Sequence, residues 1–260
     1  MSMISPHAII ESSARIASDV RIGPWSYIGH DVEIGSGCIV ESHVVIKGPT
    51  KIGAHNHFFQ FTSIGEDCQD LKYKGEKTYL EIGDHNTFRE YMCVHRGTVQ
   101  DKGVTKIGSH NHLMAYSHIA HDCVLGDHII LGHNVGLAGH IHIDDYAILS
   151  AYVGVHQFCH IGAHSFLGGG VMLSKDLPPY VFVAQIDGNP KVMTVNVEGL
   201  KRRGFTEEQI MDLRRAYKIL YRQGLTIEQA VPELQQLAAT TPHVQKLIDF
   251  VVGSTRGIQR

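Results

Sequence analysis

The stretch "IGSHNHLMAYSHIAHDCVLGDHIILG", residues 107–132, decides the fold. Ile107, Leu113, Ile119, Leu125 and Leu131 fall six residues apart, and glycine follows three of them, at Gly108, Gly126 and Gly132. The spacing extends in both directions. Upstream it runs through Ile4, Ile10, Ile16, Ile22, Ile28, Ile34, Val40, Ile46, Ile52, Phe58 and Ile64, and resumes at Ile82, Phe88 and Val94. Downstream it passes Leu137, Ile143, Leu149, Val155, Ile161 and Leu167 to Leu173. Neither the helical period nor a heptad sustains a strict six. A short strand plus a turn does: one large apolar residue points inward, and a small neighbour lets the chain bend. Three such units per coil make a triangular solenoid of 18 residues per turn, with rungs about 4.8 Å apart.

Two stretches break the repeat, residues 65–81 and residues 96–106. Both read as loops thrown out from the coils, the kind of segment that carries function on a rigid scaffold. The pattern ends near "KDLPPY", residues 175–180. Beyond it, Thr206 with Gln209 forms a potential capping box, Ile210, Leu213, Tyr217 and Leu220 share one face, and Gly224 stops the helix. Thr226 with Gln229 opens a second helix, and Thr241 followed by Pro242 a third. The expected organisation is a β-solenoid over residues 1–190 and a helical domain over residues 191–260.

The bulk composition excludes several classes. The 260 residues are 43% hydrophobic and 19% charged with 27 glycines, as in a soluble globular protein. A net charge of -3 gives no global pull towards nucleic acid. The five cysteines include no C-x-x-C pair, which fits a reduced, cytoplasmic protein better than a disulfide framework. The first residues, "MSMISPHAII", lack the features of a secretory signal, and no apolar run is long enough to span a membrane.

The 19 histidines need a reason. Stacking by 18 places Gly139 above His121, Gln157 above Gly139 and His140 above Asp122, with His156 beside Gln157. Most other histidines, such as His118, His128, His133, His142 and His160, read as decoration of turns or subunit contacts. The stacked set admits two chemistries. One is a metal site built on imidazole. The other is general-base catalysis, with Gly139 turning a backbone N–H towards a developing oxyanion.

The repeats resemble the hexapeptide-repeat acyltransferases, whose solenoid is a left-handed parallel β-helix. In order along the chain, "QDLKYKGE" (69–76), "VHRGT" (94–98), "HIAHDC" (118–123), "GVHQFC" (154–159), "DLPPYV" (176–181) and "VNVEGLKRRGF" (195–205) resemble the UDP-N-acetylglucosamine acyltransferases that start lipid A synthesis in Gram-negative bacteria. The similarity runs from the first coil to "STRG" at 254–257. It implies a mainly β protein with a helical tail that takes a 3-hydroxyacyl chain from acyl carrier protein. The chain goes to the glucosamine 3-hydroxyl of UDP-N-acetylglucosamine.

The resemblance assigns His121 as general base, Asp122 as its orienter and Gly139 as the oxyanion position. It places His140, His156 and Gln157 around the substrates, and Asp70 and Lys72 on the sugar nucleotide. Asn196, Glu198 and Arg202 fall on the nucleotide side, and Gly169 limits acyl-chain length. At 18 residues per turn, Gly169 falls about three turns beyond His121, 48 residues on. No cofactor and no metal are expected, and a homotrimer is. Lys201, Arg203, Arg214, Arg215, Arg256 and Arg260 are candidates for docking the acidic carrier protein. Other possibilities are the related N-acyltransferase of the same pathway, a zinc-dependent carbonic anhydrase on the same solenoid, and a catalytically silent scaffold.

Overall fold

The computed structural model describes residues 3–239 and 241–260. Strands of two to four residues recur to residue 173 and align into three sheets, the sides of a triangular prism. Face I runs from Ile9–Ile10 to Met172–Leu173, and face II from Arg15–Ile16 to His160–Ile161. Face III starts at Arg21–Ile22. The register is the one the spacing demands. Ile119 pairs with Leu137, Leu137 with Val155 and Val155 with Leu173 on face I. Leu125, Ile143 and Ile161 stack on face II, and Leu131, Leu149 and Leu167 on face III. These side chains are buried together in the prism. Each stabilises the fold by about 1.5–3 kcal/mol relative to an exposed position.

The corners account for much of the histidine content. Non-glycine residues take positive φ there, among them His43, His55, His85, His110, His128, His140 and His164. This left-handed conformation costs a side-chain-bearing residue roughly 1–2 kcal/mol. Ring stacking from rung to rung offsets part of that cost. His85 stacks on His110 at 4.9 Å, His110 on His128 at 4.9 Å, and His128 on Tyr146 at 4.6 Å.

Both sequence interruptions are loops, and both leave at the corner between faces I and II. The first joins Ser63–Glu66 to Tyr79–Ile82, the second Cys93–His95 to Val104–Ile107. Ile64 still pairs with Val94, and Val94 with Ile119, so the inward column continues past the insertions, and the register shifts only beyond it, between Ile64 and Glu66. The buried Arg96 ties the loops together. Its guanidinium donates to the Gly65 carbonyl, pairs with Asp67 and reaches the Tyr73 hydroxyl at 3.1 Å.

Residues 181–195 form a hairpin that the periodicity did not anticipate. Val181–Ile186 adds to face III beside Phe166–Leu167, and Asn189–Val195 returns antiparallel to it. Asp187 and Gly188, both at positive φ, make the tight turn such a hairpin requires. The expected division at residue 190 falls inside its second strand. Among the described residues four helices follow: α1 (Val197–Arg202), α2 (Glu207–Arg222), α3 (Ile227–Ala238) and α4 (Pro242–Gly253). Thr206–Gln209 and Thr226–Gln229 form complete capping boxes. Thr241 precedes α4 without capping it, because its hydroxyl donates to Asp212 on α2 instead. Among the described residues no helix is long and apolar enough to cross a membrane.

Candidate active site

His121 lies just past the strand His118–Ile119, at the corner where both loops emerge. Its Nδ1 is 2.9 Å from Oδ2 of Asp122. Adjacent residues in an extended strand point to opposite sides, but Asp122 has φ 58°, and the reversal brings its carboxylate beside the ring. The Asp122 side chain is wholly buried. It accepts from the Thr98 N–H at 2.9 and 3.1 Å and from the Thr98 hydroxyl at 2.6 Å. Its own N–H donates to the Thr105 hydroxyl at 2.8 Å. A carboxylate held this way keeps the imidazole proton on Nδ1 and leaves the Nε2 lone pair free.

Gly139 lies on the next rung. A Cβ there would sit 2.6 Å from His121 Cε1 and 2.7 Å from Nε2, so only glycine leaves room for the ring. Among the described residues the Gly139 N–H has no acceptor. His140 stands edge-on to His121 at 4.9 Å between centroids, and Phe158 stacks on it at 4.4 Å. Its Nδ1 is 2.9 Å from Asp101 and 4.0 Å from Asp122.

A cleft of about 580 Å³ opens at this corner. His121, His140 and Gln157 come from successive rungs, Asp70 and Lys72 from the first loop, and Thr98, Gln100 and Asp101 from the second. The spacing alone did not point to Thr98, Thr105 or Asp101. Their only sequence signal was the broken repeat at residues 96–106 and its edge. His121, Asp122 and His140 could in principle hold a metal, with ligand atoms within 4.8 Å of one another. The Asp122 carboxylate, however, is already engaged by Thr98 and His121.

Beside the cleft, an apolar trough crosses face I, lined by His118, Gly136, Ala138, Gly154, His156 and Met172 among others. His118, Gly136, Gly154 and Met172 form one outward column. Over Gly136 the trough is open, whereas a Cβ on Gly154 would meet the Met172 sulfur at 2.6 Å. Burial, reinforced by His95 and His121, lowers the His118 pKa to about 4 and keeps the ring neutral at pH 7. Its Nδ1 lies 2.9 Å from Cys93 Sγ.

Comparison with known proteins decides the family. The model for "Udp N-acetylglucosamine O-acyltransferase; Domain 2" matches residues 176–259, and that for bacterial transferase hexapeptide repeats matches residues 13–48 and 105–139. An acyl-[acyl-carrier-protein]–UDP-N-acetylglucosamine O-acyltransferase of Pseudomonas entomophila is 55% identical over the full length of both chains. Its counterpart in Stutzerimonas stutzeri is 58% identical, again over both full lengths. The chain belongs to the UDP-N-acetylglucosamine O-acyltransferase family. It is an acyltransferase on a left-handed parallel β-helix with a helical C-terminal part. The solved structure of LpxA from Acinetobacter baumannii superposes with a TM-score of 0.96 at 49% identity, covering 99% of this chain and 100% of that one. The Francisella novicida UDP-N-acetylglucosamine acyltransferase gives 0.97 at 43% identity, covering 99% and 94%.

The remaining site residues expected from the family resemblance do not all meet in one chain. His156 is level with Ala138 rather than Gly139, so it lines the trough, and its Nδ1 is 2.8 Å from Arg256. Gly169 sits at the corner between faces III and I, where a Cβ would lie 3.4 Å from the Ala151 carbonyl. Its separation of 48 residues from His121 is two full turns plus two sides, which lands on the opposite edge of face I. Asn196 caps α1 and donates to the His164 carbonyl at 2.9 Å, at the corner between faces II and III. Glu198 and Arg202 are exposed on that helix, and none of the three lines the cleft. The proposed docking cations also divide. Arg203 covers the Tyr146 ring, Arg215 pairs with Asp212, and Arg256 and Arg260 bond backbone carbonyls. Lys201 and Arg214 remain exposed beside one hollow of α1 and α2.

Proposed function

We propose that this protein transfers a 3-hydroxyacyl chain from acyl carrier protein to the glucosamine 3-hydroxyl of UDP-N-acetylglucosamine, the first step of lipid A synthesis, in the cytoplasm. His121 Nε2 takes the proton of the sugar hydroxyl as its oxygen attacks the thioester carbonyl. The Gly139 N–H receives the oxyanion. Collapse expels the carrier thiolate, which takes the proton back from the imidazolium, and leaves the ester. Asp122 holds the proton on Nδ1 and stabilises the cation formed in between. The observation that carries this reading is the His121–Asp122 pair packed against Gly139 in a cleft reached by both loops.

Asp70 and Lys72 bind the sugar nucleotide from the loop, while His140 and Gln157 line the reacting end. The acyl chain leaves along the trough past His118, Gly136 and Gly154 towards His156, Met172 and Gly169. Asn196, Glu198 and Arg202 act on a neighbouring subunit's cleft in a homotrimer. Their position at a different corner from His121 supports that arrangement, because a threefold ring brings one corner against another. Lys201 and Arg214 are the leading contacts for the acidic carrier.

The test is mass spectrometry of product formed from UDP-N-acetylglucosamine and 3-hydroxyacyl carrier protein. His121→Ala should lower turnover by about 10²–10⁴-fold while nucleotide binding persists. Near-normal turnover in that variant would remove His121 as the base.

A further inference from the structure

A second cluster of ligand-type side chains lies on face II, away from the cleft. His142 opens the strand His142–Ile143 and pairs in register with His160 of His160–Ile161. Both imidazoles therefore project outward from adjacent rungs. Asp144 follows two residues after His142, with the buried Ile143 between them, so it returns to the outer side. Its Oδ1 is 3.1 Å from His142 Nε2 and 2.9 Å from His160 Nε2. The three ligand atoms lie within 4.8 Å of one another.

We propose that His142, Asp144 and His160 form a surface site for a divalent transition metal of the zinc type, separate from the reaction centre. The donor chemistry fits. Two imidazoles and a carboxylate suit zinc and its first-row neighbours. With metal–ligand bonds of about 2.0–2.2 Å, the two N···O separations correspond to angles of roughly 80–100° at the ion, so a tetrahedral site needs each separation to widen by a few tenths of an ångström.

Both rings reach the same carboxylate oxygen, Asp144 Oδ1. Among the described residues no lysine or arginine forms an ion pair with Asp144, so no permanent cation competes for it. One ring is also braced: His160 packs on Phe250 of α4 at 4.5 Å. Side-chain exposures of 50% for His142, 31% for Asp144 and 39% for His160 leave the outer side open to complete the coordination with water. The site joins two rungs and touches α4, so its metal would brace the end of the solenoid against the helices. None of its residues lines the cleft or the trough.

The experiment uses untagged full-length protein freed of metal with a chelator. Zinc chloride is titrated in by calorimetry, and cobalt chloride by visible absorption. One equivalent of zinc should bind per chain, and the melting temperature should rise with it. Asp144→Asn and His142→Gln should each weaken that binding at least tenfold, while His140→Ala retains it. The His142→Gln substitution is at a half-exposed position and tests the site even if Asp144→Asn misfolds. Turnover of chelated wild type and of both face II variants should be equal. Zinc binding unchanged in Asp144→Asn and His142→Gln, or lost only in His140→Ala, would overturn the proposal.

Discussion

His121 Nδ1 lies 2.9 Å from Oδ2 of Asp122, the very next residue in the chain. In the proposed mechanism these are the base and its orienting carboxylate, and one left-handed corner residue brings the two together. Asp122→Asn should therefore leave the coils intact, since the amide can still bond Thr98, and should lower kcat by about 10²–10⁴-fold. The KM for UDP-N-acetylglucosamine should change little. Steady-state kinetics checks this, and a matched loss in nucleotide affinity would point to a binding role instead.

Gly139→Ala probes the space rather than the charge. The added methyl would meet the His121 ring at 2.6 Å, so the ring must move away from the sugar hydroxyl. Turnover should fall by at least about 10²-fold, with only a small loss in melting temperature. An active Gly139→Ala enzyme would show that the ring has room to yield.

The proposed threefold arrangement, with Arg202 serving a neighbour's cleft, predicts rescue between inactive subunits. His121→Ala and Arg202→Ala proteins should each be nearly inactive. Unfolded together and reassembled in equal amounts, they should recover about a quarter of wild-type activity, because each mixed threefold ring holds one intact site. No recovery in mixed oligomers would mean that both residues serve the same subunit's cleft.

Acyl preference should follow Met172, whose sulfur covers Gly154 in the trough. Met172→Ala opens that rung and should shift the preferred donor towards longer 3-hydroxyacyl chains, by up to about tenfold in relative kcat/KM. Gly169→Met, at the far edge, should favour shorter chains. Competition assays with a panel of carrier thioesters measure both shifts.

Acid stability should respond to His164. Burial, with help from Arg203, lowers its pKa to about 4. Between that value and the unfolded histidine pKa of about 6.5, the unfolded chain binds more protons than the folded one, so stability falls as pH drops through this window. His164→Phe keeps a ring between Tyr146 and Tyr180 in the corner stack but removes the proton site. The loss of melting temperature between pH 6.5 and pH 4.5 should shrink by about 2–4 °C. An unchanged pH slope would assign the acid sensitivity elsewhere.

The solenoid was legible because its signal is local and periodic. Ile119, Leu137, Val155 and Leu173 declare an inward column by spacing alone, and parallel pairing then has one register that buries them all. The same arithmetic put Gly139 over His121. The capping boxes at Thr206 and Thr226 were legible for a similar reason: each is complete within four residues. Family resemblance added the proposed base and its proposed partners, which spacing left open between catalysis and metal binding.

Only the tertiary structure decided what depends on direction and on long-range contact. Asp122 reaches His121 because of a positive φ, and it is held there by Thr98 from a loop with no period to read. Gly169 moved to the opposite edge of face I because a triangular coil turns a residue count into an angle as well as a height. The hairpin at residues 181–195 continues a sheet whose strands came from the repeat, although its own residues carry none. Periodicity determines which side chains face inward. Which outward ones meet is set by corners and loops, whose geometry is fixed only once the coils have stacked.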